Sequence, residues 1–254
     1  MHLEADLYYK GNLDHENVIL FVPGTALSPE IYKNVHVPYG YEAVYLSWHD
    51  APGDHSIEST ADKILRLIQQ HKCRNIILVG HSSGGFIVMQ TYFSLPNKSI
   101  ITGILLCDTG CNTIGHVNSK SPEEIKTSWS EEKTRVAFLE RCFSSRIDDE
   151  TFAHLKEYST RISPQARIEP WVSQLHLDFT QRLCEISCQT MVVHGRYDKA
   201  RPITHAQQLA QGIPHSDLFI IDHAGHTPML ENPEKFSEAL NSLCKRADDV
   251  SHVL

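Results

Sequence analysis

Six short apolar runs punctuate the chain without alternating polar residues: Val18–Val22, Ala43–Leu46, Asn75–Val79, Ile100–Cys107, Thr190–Val193 and Asp217–Ile221. Runs of this kind, rich in Val and Ile and closed by turn residues, predict strands buried on both faces. Between several of them the period changes. Ile57, Ala61, Ile64, Leu65 and Ile68 share one helical face over 57–71, and Phe86–Phe93 continues the pattern. Pro202–Gln211 opens on a proline and stops at Gly212, and Glu234–Cys244 aligns Phe236, Leu240 and Leu243. Such β–α alternation predicts an α/β protein with a mostly parallel central sheet flanked by helices. Ahead of Val18 the pattern fits one strand or a hairpin equally well.

The rhythm breaks between Asn112 and Ser187, where helical patterns replace strands: Pro122–Ser128, Glu131–Cys142, Asp148–Tyr158 and Pro164–Leu183. Ser121-Pro122-Glu123-Glu124 and Ser163-Pro164 are good helix openings. Helices inserted between two parallel strands lie over the strands' carboxyl ends, where open α/β sheets bind ligands. The expected organisation is therefore a core of residues 1–111 and 188–254 carrying a helical cap of residues 112–187. Trp129, Phe138, Phe143, Phe152, Trp171 and Phe179 lie in that insertion. Most should face its core and only a minority should reach a substrate.

Composition narrows the partners. With 254 residues, 41% of them hydrophobic, the chain can bury a sizeable core without disulfides or metals. A net charge of −8 with no basic run argues against nucleic acid or an anionic membrane. The acidic start Met1-His2-Leu3-Glu4-Ala5-Asp6 has no apolar core of a signal peptide, and no stretch is long enough to span a bilayer. Seven cysteines, none in a C-x-x-C pair, then read as reduced thiols of a cytoplasmic protein. The sixteen histidines show no zinc-ligand spacing, so no metal is expected. No cofactor fingerprint is present either. The expected partner is a small-molecule substrate, with oligomeric state left open.

Gly80-His81-Ser82-Ser83-Gly84-Gly85 follows a strand pattern and opens a helical one. A serine at the apex of so tight a turn is held with its hydroxyl raised above the sheet edge. The plain alternative is a glycine-rich connection with a capping serine. A serine hydroxyl needs a base to take its proton and a group to orient that base. Two more loops after strands offer them: His194-Gly195-Arg196-Tyr197-Asp198 and Asp222-His223-Ala224-Gly225-His226. Competing residues are Ser83 as nucleophile, His223 as base, and Asp108 or Asp222 as the acid. Ser83 is better placed for a backbone role with its side chain directed away. Ala224-Gly225 suits projection of His226.

These pieces, with Val22-Pro23-Gly24-Thr25 and Glu231-Asn232-Pro233, resemble the α/β-hydrolase superfamily, in particular its capped esterase, lactonase and carbon–carbon hydrolase members. The resemblance runs from the first long strand to the last helix and implies an α/β-hydrolase fold with a helical cap. It implies Ser82 as nucleophile, His226 as general base and Asp198 as the orienting acid. It also implies an oxyanion hole from the backbone N–H groups of Thr25 and Ser83, although Pro23 replaces the usual histidine. The expected activity is cofactor-independent hydrolysis of a small, mostly uncharged carboxylic ester or lactone through an acyl-enzyme. The alternatives are a carbon–carbon hydrolase or lyase with the same triad, or a non-catalytic ligand sensor.

Overall fold

The structure, a computed structural model, describes residues 1–116 and 121–251; 117–120, within the expected cap, and 252–254 lie outside the described residues. The strands are β1 (His2–Glu4), β2 (Leu7–Lys10), β3 (Asn17–Val22), β4 (Glu42–Ser47), β5 (Asn75–His81), β6 (Ile101–Cys107), β7 (Gln189–Gly195) and β8 (Ser216–Ile221). They form one sheet in the order β1-β2-β4-β3-β5-β6-β7-β8. From β4 to β8 every neighbouring pair is parallel, and β1 and β2 add an antiparallel edge. The six expected strands are all present. The amino terminus is a hairpin, turned by Ala5 (φ 50°) and Asp6 (φ 60°), the left-handed pair of a tight hairpin turn.

The helices are α1 (Ile57–Gln70), α2 (Ser83–Ser94), α3 (Pro122–Ser128), α4 (Glu132–Arg141), α5 (Asp149–Arg161), α6 (Pro164–Leu175), α7 (Ile203–Gly212), α8 (Pro228–Glu231) and α9 (Pro233–Ser251). Helices α1, α2 and α7 bury apolar stripes on one sheet face, in a cluster with Val18, Leu20, Ile76, Leu78 and Val192. On the other face α9 sets Phe236, Ala239, Leu240, Leu243, Cys244 and Ala247 against Ile19, Ile77 and Met191. Successive strand residues therefore feed opposite clusters, which is why these strands read as unbroken apolar runs. No helix among the described residues is long and apolar enough to cross a membrane.

Helices α3 to α6 lie between β6 and β7. Ser121 and Glu124 form a reciprocal capping box at the start of α3, and Ser163 caps α6. The helix expected over Pro164–Leu183 is shorter than its pattern. It ends at Leu175, and a separate 3-10 turn covers Thr180–Glu185. Asp178 Oδ1 accepts from Thr180 N at 2.8 Å, a local bond that competes with helix continuation.

Candidate active site

Strand β5 delivers Ser82 to the carboxyl edge of the sheet in a left-handed conformation, φ 53° and ψ −118°. A non-glycine residue there is strained and must be held by its surroundings. Ser82 N donates to Cys107 O at 2.9 Å, and Thr109 Oγ1 donates to Ser82 O at 2.7 Å. The flanking glycines let α2 dock close behind. A Cβ on Gly84 would stand 2.1 Å from Val22 O, and one on Gly80 2.6 Å from Gly84 O. Ser82 occupies the N-cap position of α2, yet its hydroxyl makes no capping bond. The side chain is thus available for something other than local structure.

His226 sits on the loop after β8, and its Nδ1 lies 2.8 Å from Asp198 Oδ2, on the loop after β7. Asp198 Oδ1 also accepts from Ala200 N at 2.6 Å and Arg201 N at 3.0 Å. Burial opposes ionisation of Asp198. The neighbouring His226 charge and these hydrogen bonds outweigh it and hold the carboxyl well below the usual carboxylate range. An ionised carboxylate only accepts, so Nδ1 carries a proton, and in the neutral imidazole Nε2 is the acceptor. Ser82 and His226 line one cavity. Among the described residues no hydrogen bond joins their side chains; such contacts commonly tighten only around substrate.

Of the rival residues, Asp108 lies against this pair, with side-chain atoms of Asp108, Asp198 and His226 within 4.8 Å of one another, and the others are engaged elsewhere. Asp108 is buried and accepts from Gly195 N at 2.9 Å and from the Cys107 thiol at 3.0 Å. Burial, then the adjacent Asp198 charge, pushes its carboxyl well above the ordinary value, so it stands as a neutral acid beside the ionised one. Asp222 is exposed and pairs with Arg196. His223 is exposed, with its ring 6.2 Å from that of Tyr197. His81, directly before Ser82, bridges two loops. Its Nδ1 accepts from Gly24 N at 3.2 Å and its Nε2 donates to His226 O at 2.6 Å. Burial, then the His226 charge, drives its pKa down to about 3, so the ring stays neutral. One imidazole thereby ties the loop after β3 to the loop that carries His226.

That first loop is fixed further by Trp48 Nε1 donating to Pro23 O at 2.9 Å and by a left-handed Ala26, φ 57°. Thr25 and Ser83 both line the cavity. Among the described residues neither backbone N–H has a hydrogen-bond partner. The Ser83 side chain corrects one expectation. It does not turn away but accepts from Thr25 Oγ1 at 2.6 Å, which clips the two N–H-bearing segments together.

The matching family model is that of the alpha/beta hydrolase family, over residues 19–239. The chain belongs to this family. A full-length relative is the AB hydrolase superfamily protein YisY of Bacillus subtilis (strain 168), 20% identical over 90% of this chain and 92% of that one. An esterase (EaEST) from Exiguobacterium antarcticum is similar in structure, with a TM-score of 0.81 and 20% identity over 94% of this chain and 95% of that one. A bromoperoxidase from Bacillus anthracis superposes with a TM-score of 0.85 at 18% identity, over 94% and 95% of the respective chains. At such identities these likenesses establish the fold of this alpha/beta hydrolase family member and leave its reaction to the site itself.

The helices between β6 and β7 roof the cavity, which encloses about 50 Å³ and is lined from that side by His116, Phe138, Arg141, Arg167, Trp171 and Gln174. Of the aromatic residues noted in the insertion, Phe138 and Trp171 reach it. The arginines were not singled out from the sequence. A signal was present: Arg167, Trp171 and Gln174 stand four and three apart and share one stripe of α6. A stripe of polar and aromatic residues on an inward face is unlike a packing stripe.

Proposed function

We propose that the protein is a cofactor-independent serine hydrolase acting on a small carboxylic ester or lactone, with residues 112–187 serving as its cap. The observation that carries this reading is the Asp198–His226 hydrogen bond beside a cavity that His226 and Ser82 both line. In this mechanism Ser82 Oγ attacks the substrate carbonyl carbon while His226 Nε2 takes the hydroxyl proton. Asp198 holds the imidazole in the required tautomer and stabilises the imidazolium. The tetrahedral oxyanion accepts from the N–H groups of Thr25 and Ser83, which have no other partner among the described residues. Collapse expels the alcohol with the proton from His226, and the same histidine then deprotonates water to cleave the acyl-enzyme.

A fluorophosphonate probe and short p-nitrophenyl esters test the reading. Labelling should map to Ser82. Ser82→Ala should lower kcat by about 10⁴-fold or more, with an unchanged unfolding transition. Turnover surviving in Ser82→Ala, or absence of both labelling and turnover in the native protein, refutes the covalent mechanism. The second outcome would favour a ligand-sensing role.

A further inference from the structure

The cavity over Ser82 is lined by unpaired hydrogen-bond donors. Arg167 is only 8% exposed, and among the described residues no carboxylate lies within ion-pair distance of it. A guanidinium buried without a partner is costly, and proteins retain one where something will pair with it. Its orientation is already set. The guanidinium carbon stands 5.1 Å from the Trp129 ring centre and 4.9 Å from that of Phe138. Cation–π contacts of this kind, to two rings lying at 78° to each other, hold the group in place without using its N–H donors. Its Nε is buried without a hydrogen bond.

Neighbouring groups repeat the pattern. Gln174 Oε1 accepts from Arg201 Nη2 at 3.2 Å, which fixes the amide so that Nε2 is a donor, and that donor is unpartnered. Trp171 Nε1, a donor only, is unpartnered as well. Arg141 lines the same cavity. Burial, then the charge of Arg141, lowers the Arg167 pKa to about 10, and the Cys142 thiol, not a carboxylate, acts in the opposite sense. Arg201, by contrast, is partly compensated by Asp198 and donates to Asn112 O at 3.3 Å.

We propose that Arg167, supported by Trp171 Nε1 and Gln174 Nε2, is a receptor for a carboxylate, so that the substrate is an ester or lactone bearing one ionised carboxyl group. The inference rests on the serine-hydrolase reading for the reacting bond and replaces the expected mostly uncharged substrate with an anionic one. A planar guanidinium edge matches a carboxylate in bidentate fashion. Arg201, 1% exposed, also lines the cavity but is offset by Asp198, which leaves Arg167 as the deeply buried cation to be matched by one negative charge. A space of about 50 Å³ suits a group of that size.

The test compares mono-p-nitrophenyl glutarate with p-nitrophenyl pentanoate, in which a methyl replaces the carboxylate. The native protein should favour the glutarate ester in kcat/KM by about 30-fold or more, the scale of a buried charge-assisted contact. Arg167→Met should erase most of that ratio, and Arg167→Lys should restore part of it. Independently of turnover, glutarate should bind the Ser82→Ala protein in calorimetry more tightly than inorganic phosphate does. That measurement stands even where Arg167→Met fails to fold. Equal or greater preference for the pentanoate ester, or phosphate binding without glutarate binding, overturns the carboxylate receptor. Esters hydrolysed at Ser82 without acid preference would sink this inference alone. Absence of Ser82 labelling would sink the hydrolase reading, and glutarate binding to Ser82→Ala would still support the receptor.

Discussion

At the scale of single residues, the question the site poses is which of two adjacent buried carboxyls supports His226. Asp198 takes the imidazole N–H and two backbone N–H groups, whereas Asp108 takes Gly195 N and a thiol. Two carboxylates so close cannot both ionise cheaply, and the one with more donors keeps the charge. Asparagine at the two positions separates their roles. Asp198→Asn should lower kcat by roughly 10²- to 10⁴-fold, because an amide can present its N–H to Nδ1 and reverse the imidazole tautomer. Asp108→Asn should change kcat by less than about 3-fold, since an amide keeps the size and neutrality of the protonated acid and its oxygen can still accept from Gly195 N. Steady-state kinetics on both variants decides it, and a larger loss from Asp108→Asn would reverse the assignment. The order of Ser82, Asp198 and His226 along the chain made this site legible, because each follows a strand and so lands on one sheet edge. Arg167 was not legible. Arginine is ordinarily a surface residue, and only the packing of Trp129 and Phe138 around it reveals its burial.

At the scale of elements, the site is assembled by ties between loops. Glu231, in the short helix after His226, accepts from Gly225 N at 2.6 Å, and from Ser144 N and Oγ at 2.7 and 2.6 Å. Thr227 Oγ1 donates to Cys142 O at 2.7 Å. Both neighbours of His226 are thereby moored to the corner between α4 and α5. Glu231→Ala should therefore lower stability by about 2–4 kcal/mol, the loss of several charge-assisted bonds. It should also lower kcat by about 10- to 100-fold through misplacement of the imidazole. Urea titration and single-turnover kinetics measure the two effects; normal kcat in a destabilised protein would show that the tie is merely structural. Strands and their order of function were readable because β-branched runs and terminal glycines act locally. The end of α6 was not: the helix stops at Leu175 although its pattern runs on, and the Asp178–Thr180 bond opens a separate 3-10 turn. Nor was the direction of the Ser83 side chain, which depends on Thr25 arriving from a distant loop.

At the scale of the whole molecule, the charge states buried around the sheet edge set an acid limit on the fold. His81 is held neutral, its pKa lowered by burial and then by the His226 charge to about 3; His194 is lowered, chiefly by burial, to about 4; and buried His49 lies well below its ordinary value. In the unfolded chain each takes up a proton as the pH falls through about 6.5, while the folded state stays neutral. Their stabilisation is complete above that point and is lost as the pH drops toward the folded values, at up to about 1.4 kcal/mol per pH unit for each proton. Asp108 works in the opposite sense. Its raised folded pKa keeps it protonated where the unfolded chain has ionised, above about pH 4, so its contribution falls as the pH rises. Three histidines outweigh one carboxyl between about pH 4 and 6.5, and stability should climb there. Above about 6.5 the histidines are neutral in both states and the Asp108 slope leads, joined near pH 8.5 by Cys107, Cys142, Cys188 and Cys244, whose thiols burial raises, so stability should level and then decline. Denaturant midpoints between pH 4 and about 8, below the range where free thiols ionise, should therefore pass through a maximum near neutrality, and Asp108→Asn should flatten the side above neutrality while leaving the acid side in place. A native profile already flat above neutrality would show that Asp108 ionises in the folded protein, contrary to its place beside the Asp198 charge.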